Sequence, residues 1–347
     1  MKPEWKDFLK KAGAEFENNQ VVSFGNLQRE QRMLHTGLVL CDLSHLGLIS
    51  IDGEDAADFL QGQLTNDVRD VSLQHSQLSA YCTHKGRMLA NFRLFKRADS
   101  FYLRLPQPLL ESILKRISMF ILMSKVSMKD SSDALVKIGV SGPNANETLA
   151  ELISDIPKNA DDVTQANGYT VIKCAGELPR YEIYGELEPI KKLWGQLDVN
   201  AAPVGAGIWE TLDILAGIPT IQRETAEAFI PQMTNMQFIN GVNFQKGCYT
   251  GQEVVARMQY LGKTKRRMFR IQIETNDEVT AGDKLFCEGS KSGQGTGQIV
   301  NAQADANGGY CALAVIDIAD AESGKLQLFD ENGPSITVQT LPYSVEK

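Results

Sequence analysis

Two stretches decide the class of fold: ISIDGEDAADFL at residues 49–60 and IGVSGPNANETL at residues 138–149. Each predicts a strand, a glycine turn and the start of a helix, because alternating apolar residues precede the glycine and helix-forming residues follow it. Gly53 and Gly142 occupy equivalent places 89 residues apart, and glycine permits the tight turn that each segment needs. An internal duplication and two unrelated turns both explain this match of about a dozen residues.

Helical and strand patterns alternate along the first 200 or so residues. Residues 90–95 and 101–105 alternate between apolar and polar types, which predicts two strands joined by a turn. Residues 109–123 have apolar side chains at helical spacing, residues 169–184 are typical of strand, turn and strand, and residues 188–197 predict a helix. Because no long β-α-β series occurs in this pattern, we predict an α+β protein.

The sequence pattern changes after about residue 263, where short strand-like segments replace the mixture of helical and strand patterns. Strand-like segments at residues 268–273, 298–300, 310–318 and 335–341 are separated by glycine-rich turns. Many short strands with glycine turns predict a small C-terminal β-barrel. The stretch GQGTG at residues 293–297 superficially resembles a dinucleotide-binding loop. A strand follows it rather than a helix, so we do not expect phosphate binding there.

Composition excludes several classes of protein. The chain has 347 residues and a formal net charge of −8, which argues against a wholly basic nucleic-acid binder. No apolar run approaches the roughly 18 residues of a membrane span. Trp5, Phe8, Leu9, Ala12 and Phe16 fall on one face of a predicted N-terminal helix. This segment lacks the apolar core of an export signal, so we expect a cytoplasmic protein with no membrane contact.

Cysteine and histidine are too sparse to predict a metal site. The sequence has no Cys-x-x-Cys pair and only four histidines, and the cysteine spacing matches no zinc or iron–sulfur motif. The six cysteines are Cys41, Cys82, Cys174, Cys248, Cys287 and Cys311. In a reducing compartment, we expect most of these thiols to be small buried groups.

The stretch NFQKGCYTGQE at residues 243–253 carries the densest chemical signal. Gly247 and Gly251 bracket Cys248 in a predicted tight loop, and a helix is predicted directly afterwards. Lys246 lies two residues before the thiol, and a neighbouring cation or a helix N-terminus lowers the pKa of a cysteine. A reactive thiol and an inert buried cysteine both fit this pattern. A cysteine hydrolase does not, because the sequence places no histidine base nearby.

Two further features allow both a functional and a structural interpretation. From residue 246 to residue 270, seven Lys and Arg residues stand against one acid, Glu253. A solvated surface explains this reversal of charge, and so does attraction of an anion such as a polyglutamate tail, RNA or an acidic partner. Trp209 is the second feature, since an indole either stacks on a planar heterocycle or packs in a core.

The octapeptide KGCYTGQE at residues 246–253 resembles the signature of the YgfZ-type folate-binding proteins. These proteins are relatives of the glycine-cleavage aminomethyltransferase, the T-protein. The resemblance covers nearly the whole chain and includes CDLSHLG at 41–47, LQGQLTNDV at 60–68, KGR at 85–87, AGIP at 216–219, FIPQMTN at 229–235 and VAR at 255–257. It implies a clover-like, three-domain aminomethyltransferase-type fold around a central folate hole, with a role in the synthesis or repair of iron–sulfur proteins.

The resemblance also assigns roles to single residues. It makes Cys248 the functional thiol, with Lys246 beside it, and places Trp209 on a tryptophan associated with folate. The second folate-linked tryptophan of the family falls at Leu46, so half of the aromatic clamp is absent. The folate-binding residues that we expect are Leu46, Trp209, Tyr249, Gln252, Glu253 and Arg257.

Two departures separate this chain from the aminomethyltransferases. Those enzymes carry an Asp–Asp pair on the strand that matches residues 86–92, where this chain has Ala90-Asn91 and no carboxylate. They also have an acid where this chain has Leu215. The loss of both acids favours a folate-binding accessory protein that uses Cys248. A tetrahydrofolate-dependent C1-transfer enzyme and a direct RNA-binding module are the alternatives, and no RNA-recognition motif supports the second.

The resemblance and the sequence pattern together predict four segments. These are an N-terminal α+β folate-binding domain (1–130), a second, ferredoxin-like α+β domain (131–204), a segment carrying the folate and cysteine motifs (205–262) and the β-barrel (263–347). The partners that we expect are tetrahydrofolate or its polyglutamate and iron–sulfur proteins such as the radical enzymes that thiolate tRNA. We expect a cytoplasmic monomer that does not itself bind RNA.

Overall fold

The computed structural model describes residues 1–260, 262, 264–288, 295–323 and 325–346. The chain forms two compact units. Unit 1 comprises Met1–Ala56, Arg69–Gln77 and Arg93–Leu212. Unit 2 comprises Ala57–Val68, Leu78–Phe92 and Asp213–Lys347. The finer division into four segments stays a prediction.

Helices and strands alternate throughout the described residues. The α-helices are α1 (Pro3–Lys11), α2 (Leu27–Thr36), α3 (Ala56–Gln61), α4 (Gln107–Ser118), α5 (Ala145–Leu152), α6 (Leu187–Leu197), α7 (Ala206–Leu215), α8 (Gln252–Tyr260) and α9 (Ile318–Ser323). The strands are β1 (Glu15–Glu17), β2 (Gln20–Ser23), β3 (Val39–Asp42), β4 (Leu46–Asp52), β5 (Gln77–Cys82), β6 (Met88–Arg97), β7 (Ser100–Pro106), β8 (Ser127–Asp130), β9 (Val136–Ser141), β10 (Val163–Ala166), β11 (Tyr169–Cys174), β12 (Arg180–Gly185), β13 (Ala202–Val204), β14 (Arg266–Ile273), β15 (Lys284–Cys287), β16 (Gly297–Ala304), β17 (Tyr310–Asp317), β18 (Leu326–Leu328) and β19 (Ser335–Gln339).

Unit 1 is built on a six-stranded sheet in the order β10-β11-β12-β9-β3-β13. Its strands pair antiparallel except β3 with β13, which run parallel. Helices α1, α5 and α6 cover this sheet with a core that includes Trp5 and Trp194, whose rings meet edge to face at 5.4 Å. The indole N–H of Trp5 donates to Asp42 at 2.7 Å. Burial of large rings with one polar anchor stabilises the packing of α1.

The two stretches that decide the class of fold are confirmed as strand, turn and helix. Strand β4 leads through Gly53 to α3, and β9 leads through Gly142 to α5. Both glycines have positive φ, +126° and +152°. A Cβ at Gly142 would overlap the carbonyl oxygen of Gly37. The turns therefore need glycine for its φ and for the close approach of another backbone.

Two predicted helices end earlier than their apolar pattern suggested. Helix α1 ends at Lys11, because Gly13 adopts a φ of +96°, and Phe16 lies in β1 instead. Helix α4 ends at Ser118. The following residues make i to i−3 turns, and Leu122 and Met123 are 86% and 97% exposed. The helical interpretation of residues 119–123 was wrong, since apolar spacing alone does not show where a helix ends.

Unit 2 contains the predicted C-terminal barrel, which is closed in the order β14-β17-β16-β15-β18-β19. Its interior is filled by alternate residues of these strands, among them Ile271, Leu285 and Ile316. A second core in unit 2 joins Met88, Phe229 and other apolar side chains. Gly293 and Gln294 of the GQGTG stretch lie outside the described residues, while Gly297 begins β16.

We expect Gly142→Ala to lower the free energy of unfolding by about 2–4 kcal/mol, from strained φ together with overpacking. Gly168→Ala is the matched control, because Gly168 has a φ of +82° but a Cβ added there would meet nothing within 4 Å. It should cost only about 1 kcal/mol. Urea denaturation measures both. Equal losses in the two variants would show that the contact with Gly37 carries no energy.

Candidate functional site

The loop that leads into α8 carries the exposed thiol of unit 2. Cys248 is exposed, whereas Cys41, Cys82, Cys174 and Cys311 are buried and Cys287 is half-buried. Burial raises the pKa of Cys82 and of Cys174 to about 12, so those thiols stay protonated at neutral pH. The expectation that most of the thiols are buried is confirmed, and Cys248 is an exposed exception.

The Lys246 side chain turns away from solvent and is 5% exposed. Its ammonium donates to the carbonyl oxygens of Gln61 at 2.8 Å, Leu64 at 2.6 Å and Asn66 at 2.9 Å. It also lies 5.1 Å from the ring centroid of Tyr249. Hydrogen bonds from a charged donor are stronger than neutral ones. Lys246 therefore joins the cysteine loop to the end of α3.

Gly251 and Gly86 bring two backbone segments of unit 2 into direct contact. Both have positive φ, +85° and +70°. A Cβ at Gly251 would overlap the carbonyl oxygen of Thr83, and a Cβ at Gly86 would lie 3.0 Å from Val254. Gly247 differs, since a Cβ there would meet nothing within 4 Å. Two glycines are predicted to shape the loop. Of these, Gly251 lies so close to another backbone segment that a side chain would not fit there, whereas Gly247 does not.

Helix α8 begins as predicted, at Gln252, and is fixed at its start. The Gln252 amide donates to the carbonyl oxygens of Lys246 at 3.5 Å and Gly247 at 3.4 Å. Further along, the Gln232 amide donates to the Val255 carbonyl at 2.6 Å. Glu253 and Arg257, one helical turn apart, are exposed. Gln252 therefore closes the cysteine loop, while Glu253 and Arg257 are available to a ligand.

The LQGQLTNDV stretch supports the same loop from the other side. The Thr65 hydroxyl donates to the Gly241 carbonyl at 2.8 Å, and the Asn66 amide donates to Asn240 at 2.6 Å. The backbone N–H of Asn243 donates to the Thr65 carbonyl at 3.0 Å. Residues that are about 175 positions apart in sequence thus share hydrogen bonds in unit 2.

Asn91 occupies a position at which the aminomethyltransferases have a carboxylate. Its amide nitrogen donates to the Pro219 carbonyl at 2.7 Å, and its amide oxygen accepts from the Ile221 N–H at 2.8 Å. The side chain is buried at 6% exposure. One group donates and accepts at once, which an ionised carboxylate cannot do. Asn91 therefore fixes the loop that follows the AGIP stretch.

Trp209 and Leu46 belong to unit 1. Trp209 is 1% exposed, and its ring packs on Gly139, where a Cβ would come within 2.5 Å of the indole. The Arg180 guanidinium lies 5.1 Å from the ring. The indole N–H is buried and has no hydrogen-bond partner among the described residues. Leu46, also buried, begins β4. A ligand that stacks on Trp209 must therefore compete with Arg180.

A buried charged cluster lies beside Trp209 in unit 1. Glu182 is fully buried and pairs with Arg104 at 3.0 Å. Burial would raise the Glu182 pKa, but Arg104 and Arg93 outweigh it, so the net pKa is lowered and the carboxylate stays ionised. Burial lowers the pKa of His45 to about 3, although a hydrogen bond to the backbone of Asp42 opposes the shift.

No continuous motif in the sequence marks this cluster. The alternation of Arg180, Tyr181 and Glu182 on one strand was the available signal, because charged residues in a strand that also carries buried aromatics are unusual. All residues of β12 are buried, so the side chains on both faces of this strand are covered by other parts of the protein. Charges that remain buried are paired or serve a ligand. The cluster is the polar part of the candidate site in unit 1.

The described residues contain no group of three or more His, Cys, Asp or Glu side chains placed to hold a metal ion. Part of the basic stretch is engaged within the protein, whereas Arg257 and Lys265 are exposed. In the basic stretch, Arg266 donates to Gly295 at 3.4 Å and Arg270 to Leu215 at 3.5 Å, and Arg267 lies over Phe269. Lys263 lies outside the described residues. Within the part of the chain that the structure describes, no helix has the length and hydropathy to span a membrane.

Comparison with known proteins identifies the family. Residues 7–246 match the family model of the GCVT N-terminal domain. The tRNA-modifying protein YgfZ of Colwellia psychrerythraea is 33% identical over 307 residues, covering 88% of this chain and 93% of that protein. The protein of the same name in Yersinia pseudotuberculosis is 32% identical over 308 residues, covering 89% and 93%. This chain belongs to the YgfZ family.

The fold is that of the aminomethyltransferases. The glycine cleavage system aminomethyltransferase T from Bartonella henselae matches with a TM-score of 0.79, covering 97% of this chain and 96% of that chain at 18% identity. The predicted α+β fold of aminomethyltransferase type with a C-terminal barrel is confirmed. At this identity the likeness concerns the fold alone, so activity in the YgfZ family must be argued from residues such as Asn91 and Cys248.

We expect Asn91→Asp to destabilise the protein by about 2–4 kcal/mol at pH 8, because an ionised carboxylate loses the bond to Pro219 and faces its carbonyl oxygen. At pH 5 the loss should be smaller, since a buried Asp has a raised pKa and its protonated form can donate. Chemical denaturation at both pH values measures the difference. Asn91→Ala is the control, with a loss that does not change between pH 5 and pH 8.

Proposed function

We propose that this protein is a folate-binding accessory factor for the synthesis or repair of iron–sulfur proteins, needed indirectly for tRNA thiolation, with Cys248 as its working thiol. The observation that carries the proposal is an exposed Cys248 on a loop fixed by Lys246 and Gln252. The YgfZ relatives are called tRNA-modifying proteins, which supports the link to tRNA.

Unused hydrogen-bonding capacity in unit 1 supports the folate proposal. The buried N–H of Trp209 lacks a partner among the described residues, and a buried polar group of this kind gains from a ligand that completes its hydrogen bond. The Glu182 carboxylate nearby is ionised, and it is already paired with Arg104 and accepts a hydrogen bond from the Tyr184 hydroxyl. A pterin ring offers a carbonyl to a donor such as the Trp209 N–H. When bound, tetrahydrofolate supplies ring nitrogens that carry a one-carbon unit.

The folate-binding residues expected from the sequence remain proposals. Leu46 and Trp209 would contact the ring, and the exposed Arg257 suits the carboxylates of a polyglutamate tail. The remaining proposed contacts are Tyr249, Gln252 and Glu253. Burial raises the pKa of Tyr249, so its phenol stays protonated and can donate a hydrogen bond.

Aminomethyl transfer is the weaker candidate. The acid that those enzymes carry on the strand of Asn91 is replaced by an amide whose donor and acceptor are both engaged. Leu215 replaces the second acid. General acid–base help needs a titratable group within reach of the substrate, and Asn91 cannot supply it. Direct RNA binding is also the weaker candidate, because Arg266 and Arg270 bind backbone carbonyls and the sequence has no RNA-recognition motif.

Cys248 limits how an iron–sulfur cluster could be handled. A cluster usually takes four protein ligands, and this thiol supplies one. Any cluster held at Cys248 therefore needs further ligands from a client protein or a small thiol. We propose iron–sulfur proteins such as the tRNA-thiolating radical enzymes as clients, and a cytoplasmic monomer as the acting form.

Cys248→Ser tests the proposed role of the thiol in cells that lack the chromosomal copy. The change is nearly isosteric, so the fold should persist while thiolated nucleosides fall toward the level of the null strain. Mass spectrometry of digested tRNA measures them. Cys287→Ser is the control and should restore wild-type levels, because that half-buried thiol has no proposed role. Full thiolation with Cys248→Ser would refute the proposal.

Trp209→Phe tests folate binding without opening a large cavity. Loss of the indole N–H should weaken tetrahydrofolate binding about tenfold, the value of one buried hydrogen bond, measured by isothermal titration calorimetry. Trp194→Phe is the matched control, since Trp194 is equally buried and its N–H also lacks a partner among the described residues. Equal affinities of the two variants would place the pterin away from Trp209.

A further inference from the structure

We propose that Lys246 is the positioning residue of the cysteine loop, and that it acts on Cys248 through backbone contacts and not as a cation that activates the thiol. The inference deepens the proposed function, because it rests on Cys248 being the working group. Lys246 lies two residues from the thiol in sequence. That spacing does not indicate that its ammonium binds backbone carbonyl oxygens instead.

The ammonium of Lys246 has a full set of acceptors. A protonated lysine has three N–H bonds, and three carbonyl oxygens, from Gln61, Leu64 and Asn66, accept them at 2.6–2.9 Å. The side chain is 5% exposed. A charge that is enclosed by carbonyl dipoles is already stabilised where it lies. Its donors are therefore committed to α3 and the residues that follow it.

The acceptors have their own reason to need a cation. Gln61 is the last residue of α3, and carbonyls at a helix C-terminus lack intrahelical partners. The Leu64 and Asn66 carbonyls are supplied by the short segment that follows the helix. A cation at the C-terminal end of a helix is stabilised by the helix dipole. Removal of the ammonium would leave three carbonyl oxygens without their charged donor.

Lys246 is also fixed at its main chain. Its N–H and that of Gln245 donate to the Asn243 side chain at 3.1 and 2.8 Å. Its carbonyl accepts from the Gln252 amide at 3.5 Å. Side chain, N–H and C=O of one residue are thus all held, two positions before an exposed Cys248. Gly247 alone separates this anchor from the thiol, and its carbonyl accepts from the same Gln252 amide at 3.4 Å, so the anchor sets where the thiol lies.

Two consequences distinguish positioning from activation. An activating cation lowers the thiol pKa, so its loss would shift the pH dependence of thiolate reactions to higher pH. A positioning residue leaves that midpoint unchanged and alters the mobility of the loop. Three convergent carbonyl oxygens also form a site that a small ammonium ion could occupy when the lysine side chain is shortened.

The experiment uses the full chain with Lys246→Met and Lys246→Ala. Hydrogen exchange at residues 243–251 should accelerate by about tenfold or more in both variants, as expected for loss of one charge-assisted contact. The pH midpoint of Cys248 alkylation by iodoacetamide, read by mass spectrometry, should stay within about 0.2 unit of wild type. Added methylammonium should slow exchange in Lys246→Ala, whereas tetramethylammonium at the same ionic strength should not.

Hydrogen exchange and the pH dependence of alkylation also provide the control and the outcome that would contradict the proposal. Lys85→Met removes an exposed lysine of the neighbouring turn and should change neither exchange nor alkylation. If Lys246→Met does not fold, Lys246→Arg provides the test, since a planar guanidinium cannot direct three donors to these carbonyls. It should accelerate exchange with an unchanged midpoint. A midpoint raised by about one unit with wild-type exchange would overturn the proposal.

This test is independent of tRNA. If Cys248→Ser supports full thiolation in cells but exchange and alkylation behave as expected, Lys246 positions a loop whose thiol is not the working group. If thiolation needs Cys248 but the alkylation midpoint rises in Lys246→Met, the function stands and Lys246 is an activating cation.

Discussion

The contact on which unit 2 depends is the one between the Lys246 ammonium and the carbonyl oxygens at the end of α3. It joins stretches that are 180–185 residues apart in sequence. Thr65 and Asn66 add hydrogen bonds to the same loop. Buried carbonyl oxygens need hydrogen-bond donors, and the Lys246 ammonium supplies them to the segment that follows α3. These hydrogen bonds hold the cysteine loop in the position that leaves Cys248 exposed.

Asn91 also supplies hydrogen-bond partners to buried backbone groups, at a place where the aminomethyltransferases carry an acid. Its amide satisfies Pro219 and Ile221 together, so the strand and the AGIP loop are held by a neutral group. The aminomethyltransferase fold is kept at a TM-score of 0.79, while the acid is not. An amide at this place offers no titratable group for general acid–base catalysis.

In unit 1, charged side chains of opposite sign are buried beside one another. They are Glu182, Arg93 and Arg104. The Glu182 carboxylate stays ionised because these arginines lie beside it, and it pairs with Arg104 at 3.0 Å. The N–H of Trp209 has unused hydrogen-bonding capacity among the described residues.

The sequence by itself determined the α+β class, the closed barrel and the octapeptide around Cys248, because apolar periodicity and glycine turns are local properties. It also identified the family, since KGCYTGQE is a continuous motif. It could not show that Lys246 is turned inward, that Gly251 lies against the Thr83 backbone, or that Glu182 is buried. Those facts depend on which distant backbone supplies carbonyl oxygens or covers a strand face. Only the tertiary structure decides them, because hydrogen-bond acceptors and burial come from residues far apart in the chain.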